Sequence, residues 1–229
     1  MASKKLVIVP IYWGSKWLPS SDPRMQPLHP ESAITWINMN SAMWTIMRSW
    51  YMLGLQDYGA LPGLVHPGYI IKDSEAVPPQ TFTNDPEGAA WTTIDAVIEA
   101  SQVPPPDTWG PDYKALYALL FEPGCANTDP NIFGYNDKAR LHVWVTANSD
   151  LAGAIESFAH EMIEASSGQE IADPCQPNTV VIDGLRLPLY HSQTLNACWP
   201  TEEAILLHRG FEKIDRFKDL RENPVKIGG

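Results

Sequence analysis

Apolar residues recur along the chain in two rhythms, and each rhythm predicts its own kind of element. Residues 6–13, LVIVPIYW, open on β-branched residues and read as a buried strand. A turn-rich stretch carrying Pro19, Pro23, Pro27 and Pro30 follows. Ile34, Ile37, Met43, Trp44, Met47 and Trp50 then fall at helical spacing, with Pro30 and Glu31 suited to the helix start and Gly54 to its end. DPEGAAWTTIDAVIEAS predicts a second helix, with Asp85 as cap before Pro86 and VPPP blocking its continuation. YKALYALLF (113–121) and RLHVWVTA (140–147) read as strands, and TVVIDGLRLPLY (179–190) as a pair of strand segments. Residues 201–220 predict a C-terminal helix interrupted near Gly210.

Between the strands at 140–147 and 179–190 lies a third helix, about 150–167. Asn148, Ser149 and Asp150 offer N-caps, and Gly168 is a natural C-terminal stop. Leu151, Ile155, Phe158 and Met162 step by four, three and four residues and form one apolar stripe. At about 100° per residue, His160 and Glu164 project almost opposite that stripe, one turn apart. Gly153 and Ser157 lie above them on the same face and leave room for something to approach.

Strands and helices are interspersed, and several connections between strands look too short for parallel crossovers. The fold class is therefore α+β with a mixed sheet rather than a doubly wound sheet. With 229 residues and 44% hydrophobic composition, the chain predicts one domain over 1–229. PIYWGSKW matches neither nucleotide-binding glycine fingerprint, which disfavours a nucleotide enzyme.

Charge narrows the partners. A formal net charge of −11 opposes binding to nucleic acid or to an anionic membrane, since both need a positive field. No run approaches a membrane span, and the short apolar run after KK reads as a strand, not a targeting peptide. The chain as given therefore reads as soluble and cytoplasmic, or secreted if a leader was removed. Three cysteines cannot frame a fold, but one bridge between Cys175 and Cys198 is open in an oxidising compartment. Among the nine tryptophans, Trp13, Trp17 and Trp109 are flanked by proline or glycine and are the candidates for a surface platform.

The helix at 150–167 carries the chemistry. His160 and Glu164 are placed to grip one metal ion, and Glu161, a quarter turn away, is placed to act on a water beside it. In zinc hydrolases a glutamate directly after the first histidine ligand shuttles the proton of an activated water. H-E-x-x-E is similar to the H-E-x-x-H helix of zincin peptidases, with a glutamate in the second ligand position. A catalytic zinc takes three protein ligands, and Asp173, Glu170, His142 and His191 all offer the third. Against this stands the plainer view that polar residues opposite an apolar stripe mark any surface helix. His142, in a strand, suits a packed histidine. No G-x-S-x-G elbow supports a serine hydrolase.

PIYWGSKW (10–17), SWYMLGLQDYG (49–59), VIEASQVPPPD (97–107), LYALLFEPG (116–124), the H-E-x-x-E helix and EIADPC (170–175) follow one another in an order that resembles the phosphate-induced, or exordium-like, family and its bacterial and fungal relatives. The resemblance spans most of residues 6–200. It implies a zincin-like fold, with His160, Glu164 and Asp173 holding one Zn²⁺ and Glu161 as general base. Many relatives carry a Cys/His-containing segment before the helix, where this chain has FGYN at 133–136. The expected function is a zinc-dependent hydrolase acting on a carbonyl of a peptide or small molecule. A metal-dependent cyclase, lyase or isomerase, and a non-catalytic module with a structural metal, are the alternatives.

Overall fold

The structure is a computed structural model and describes residues 3–18, 34–71, 81–82, 86–127, 132–146 and 150–205. Its frame is a six-stranded sheet. Strand β1 (Lys4–Trp13) pairs in parallel with β2 (Ala60–Val65) and then β3 (Tyr69–Ile71) on one side. On the other side it pairs with β5 (Tyr113–Phe121), which pairs in parallel with β8 (His142–Thr146). The edge strand β7 (Gly134–Asp137) runs antiparallel to β8, which makes the sheet mixed. Thr81–Phe82 (β4) and Ala126–Asn127 (β6) form a separate parallel pair. The expected α+β class with a mixed sheet is found, although every pairing in the sheet except β7–β8 is parallel.

Side chains alternate across the sheet and feed two apolar clusters. Leu6, Ile8 and Tyr12 of β1 join Leu116, Ala118 and Leu120 of β5 in the cluster that also holds α1 (Trp36–Arg48) and α3 (Leu151–Ser167). Val7, Val9 and Ile11 join Tyr117, Leu119 and Phe121 in a second cluster with Ala90, Ile94 and Val97 of α2 (Pro86–Glu99). Helices therefore cover both faces. Nearly continuous apolar runs in β1 and β5 follow from that double burial.

Two expectations about the first helix change. The Thr35 side chain caps it by accepting from the Asn38 amide at 3.3 Å, and it ends at Arg48, where Ser49 turns extended and its Oγ donates to the Ile46 carbonyl at 2.7 Å. Gly54 is not its stop. The chain continues as a 3₁₀ segment, Trp50–Tyr58, which closes on Gly59 at φ 73°. Gly54 instead lets Tyr190 and Trp199 pack close, since a Cβ there would stand 2.7 Å from each. Pro30, Glu31 and Asp85 lie outside the described residues. The platform tryptophans also change: Trp17 is fully buried, donating from Nε1 to the Leu120 carbonyl at 3.0 Å, and Trp13 is buried in the second cluster.

After α3 the chain forms two hairpins. Strand β9 (Thr179–Ile182) pairs with β10 (Leu185–Pro188), and β11 (Tyr190–Ser192) pairs with β12 (Ala197–Trp199). Tyr51 ties them to the 3₁₀ segment: its hydroxyl donates to the Pro188 carbonyl, and its own carbonyl accepts from Tyr190 Oη and from Trp199 Nε1. Cys175 and Cys198 form a disulfide across a Cα–Cα distance of 5.9 Å. The C-terminal helix begins at Glu202–Ile205, and the rest of its expected span lies outside the described residues. Among the described residues, no helix is long and apolar enough to cross a membrane.

Candidate metal centre

Helix α3 is set by its own ends. Asp150 caps it by accepting from the Gly153 amide at 2.7 Å, and Gly168 closes it in the left-handed region at φ 72°. Ile155, Phe158 and Met162 point into the core against α1 and the sheet. The opposite face is not a solvated one. Glu161 is 9% exposed and Glu164 3% exposed, because β7 covers one side of that face and the turn after Gly168 covers the other.

That turn brings the third group. Asp173–Cys175 forms one 3₁₀ turn, and the amides of Ala172 and Asp173 donate to Glu164 Oε1 at 3.2 and 3.4 Å. Asp173 Oδ1 then sits 3.3 Å from His160 Nε2, and Glu164 Oε1 sits 3.7 Å from the same nitrogen. One donor atom each from His160, Glu164 and Asp173 lies within 4.8 Å of the others. The set is held from behind: Cys175 is bridged to β12, and the His191 amide donates to the Ile171 carbonyl at 2.7 Å.

The other candidate ligands stand elsewhere. His142 is buried on the α2 face of the sheet, its ring 5.6 Å from that of Tyr117, so the sheet separates it from α3. Glu170 pairs with Lys138 at 2.9 Å and is mostly exposed. His191 does not join the cluster among the described residues.

Two residues of FGYN complete the site, and no sequence pattern singled them out. Asn136 Nδ2 donates to Glu161 Oε2 at 2.7 Å and to Glu164 Oε2 at 3.3 Å. Gly134 clears space for Glu161, since a Cβ there would lie 2.8 Å from its Cγ. Gln176 closes the solvent side, with Nε2 3.0 Å from Asp173 Oδ1 and 3.3 Å from His160 Nδ1. A cleft of about 850 Å³ runs from this cluster along β7, walled by Ile132, Phe133 and Tyr135 and floored by Gly153 and Ser157. Phe133 and Tyr135 remain 42% and 50% exposed, so the cleft is an open groove rather than a sealed pocket.

Burial pushes the Glu161 carboxyl up to about 8; the Asn136 amide opposes the rise, and the carboxylates of Glu164 and Asp173 add to it. Glu164 is also raised, first by burial, against the pull of His160. A raised folded value means that the folded protein holds a proton which the unfolded chain releases near 4.5, so the contribution of Glu161 is full below 4.5 and lost as pH climbs through about 8. Chelator-treated protein is thus expected to lose thermal stability across that window, and Glu161→Gln to flatten the loss. Equal slopes in thermal melts of the two proteins would refute it.

Compared with known proteins, the chain matches no family model, no curated protein and no solved structure.

Proposed function

We propose that the protein is a zinc-dependent hydrolase that binds an extended, peptide-like substrate along β7. His160, Glu164 and Asp173 would hold one Zn²⁺, and Glu161 would serve as general base. The observation that carries this reading is the convergence of three donor atoms, from one helix and one turn, within 4.8 Å. One imidazole nitrogen and two carboxylates make an acceptable donor set for a catalytic zinc with three protein ligands. Burial first, and then neighbouring carboxylates, raise the pKa values of Glu161 and Glu164, and a divalent cation held there would favour their ionised forms. The resemblance to exordium-like proteins supports the same ligands and a zincin-like arrangement of helix and sheet.

When bound, zinc supplies Lewis acidity that polarises a carbonyl and acidifies the attacking water. The chain's own residues do the rest. Glu161 would take the proton of that water and return it to the leaving group, which needs a carboxylate facing the same cleft as the metal ligands. Outer-edge backbone groups of β7 have no strand partner among the described residues, so an extended chain can pair there and place its carbonyl near Glu161. This open groove beside an edge strand favours a peptide over an enclosed small molecule.

Elemental analysis of protein purified without added metal should find about one zinc per chain. Adding zinc to chelator-stripped protein at roughly 100 times its Kd should stabilise it by about 2.7 kcal/mol, a rise of ~5–10 °C in Tm for a chain of this size. His160→Ala should abolish both signals. A wild-type protein with no metal and no zinc-dependent shift would sink the assignment.

A further inference from the structure

We propose that Asn136 is a positioning residue, which fixes the base Glu161 and the ligand Glu164 as one oriented pair; the inference rests on the metal-hydrolase reading above. A single amide nitrogen carries two hydrogens and here spends one on each carboxylate, at 2.7 Å to Glu161 Oε2 and 3.3 Å to Glu164 Oε2. Hydrogen bonding fixes the orientation of the amide. Turned over, it would set Oδ1 against the Oε2 atoms of both acids, and whichever of them is ionised would face an acceptor in place of its donor.

The second oxygen of Glu164 is committed as well. Glu164 Oε1 receives the amides of Ala172 and Asp173 and faces His160 Nε2, which leaves Oε2 as the oxygen that β7 holds. Glu161 lies in the space that Gly134 clears, two residues before Asn136 and on the same face of the strand. A Cβ at 134 would also meet the Trp144 carbonyl at 2.9 Å, so the strand cannot carry a larger residue there without shifting. The edge strand is cleared at one inward position and supplies a donor at the next.

A residue serving only to fill space would not look like this. Asn136 Oδ1 is buried and has no hydrogen-bond partner among the described residues, a cost that an apolar side chain of the same size would avoid. The nitrogen half of the amide accounts for its presence, and its contacts are the two acids of H-E-x-x-E. The donor also reaches the site from the segment that differs from the exordium-like pattern, so nothing in that pattern assigns it.

The test uses the full chain carrying Asn136→Leu, and Asn136→Ser as a second variant in case the first does not fold. Crystal structures of both after chelator treatment should show β7 still paired with β8 but the carboxylates of Glu161 and Glu164 displaced or in several rotamers. Titration with Co²⁺ should give roughly 10- to 100-fold weaker binding than wild type, the usual cost of losing a group that supports a ligand. The visible spectrum of the bound cobalt should also change, a signature that a merely structural loss would not move. Unmoved carboxylates with Co²⁺ affinity within twofold of wild type would overturn the proposal. Detachment of β7 in both variants would also overturn it, by making Asn136 a sheet residue. If wild type binds no Co²⁺, the metal reading fails, while displaced carboxylates in the variants would still uphold the clamp.

Discussion

Glu161→Gln is expected to keep its zinc and to lose turnover of a fluorogenic peptide library by roughly 10²- to 10⁴-fold, the range that a general base contributes. The substitution keeps shape and keeps an acceptor for Asn136, whose Nδ2 lies 2.7 Å from Glu161 Oε2. It removes only the ability to take a proton. Metal content is expected to survive because the three donor atoms belong to His160, Glu164 and Asp173. The same variant separates the rival readings. A module with a structural metal would keep whatever function it has in Glu161→Gln and would unfold in His160→Ala. Loss of zinc from Glu161→Gln would instead make Glu161 a ligand and remove the base from the mechanism.

The second large effect concerns the Cys175–Cys198 bridge, which joins residues 23 apart in sequence. On the chain-entropy model a loop of that length is worth about 3 kcal/mol, so Cys175→Ser with Cys198→Ser should lower Tm by ~6–12 °C. On the zinc reading, a second consequence reaches the candidate ligands. Asp173 lies two residues before Cys175 in the same turn, and without the bridge that turn is held by the His191 amide on Ile171 and by two bonds to Glu164. Zinc must then order Asp173 as it binds, and affinity should fall together with stability. Isothermal titration of the refolded double variant tests this. Unchanged zinc affinity would show that the backbone bonds alone set the ligand.

What could be read from the residues and what could not divide along a physical line. Helix α3 was legible because its signals are local: Asp150 caps it, Gly168 ends it, and the stripe through Phe158 and Met162 fixes its inward face. Strand β5 was legible because both its faces are buried, and an apolar run survives any choice of neighbours. The environment of the polar face was not legible. Helical phase places His160 and Glu164 together, but that Glu164 is 3% exposed depends on β7 and on the Asp173 turn, which arrive from elsewhere in the chain. Strand β7 itself, GYND, has no apolar alternation to announce it, and Asn136 acquires meaning only once that strand is seated beside α3. Trp17 misled for a related reason. A neighbouring proline suggested exposure, yet the indole is buried against the Leu120 carbonyl and the ring of Tyr12.

The candidate ligands sit on one helix and one turn, while the central strands β1 and β5 supply none of them. This division leaves the scaffold independent of the proposed chemistry. Exchanging His160 and Asp173 for neutral residues would leave both apolar clusters intact, so the architecture would stand without the proposed catalysis. The groove along β7 would outlast the loss of those two side chains, as a place to hold an extended chain rather than to cut one.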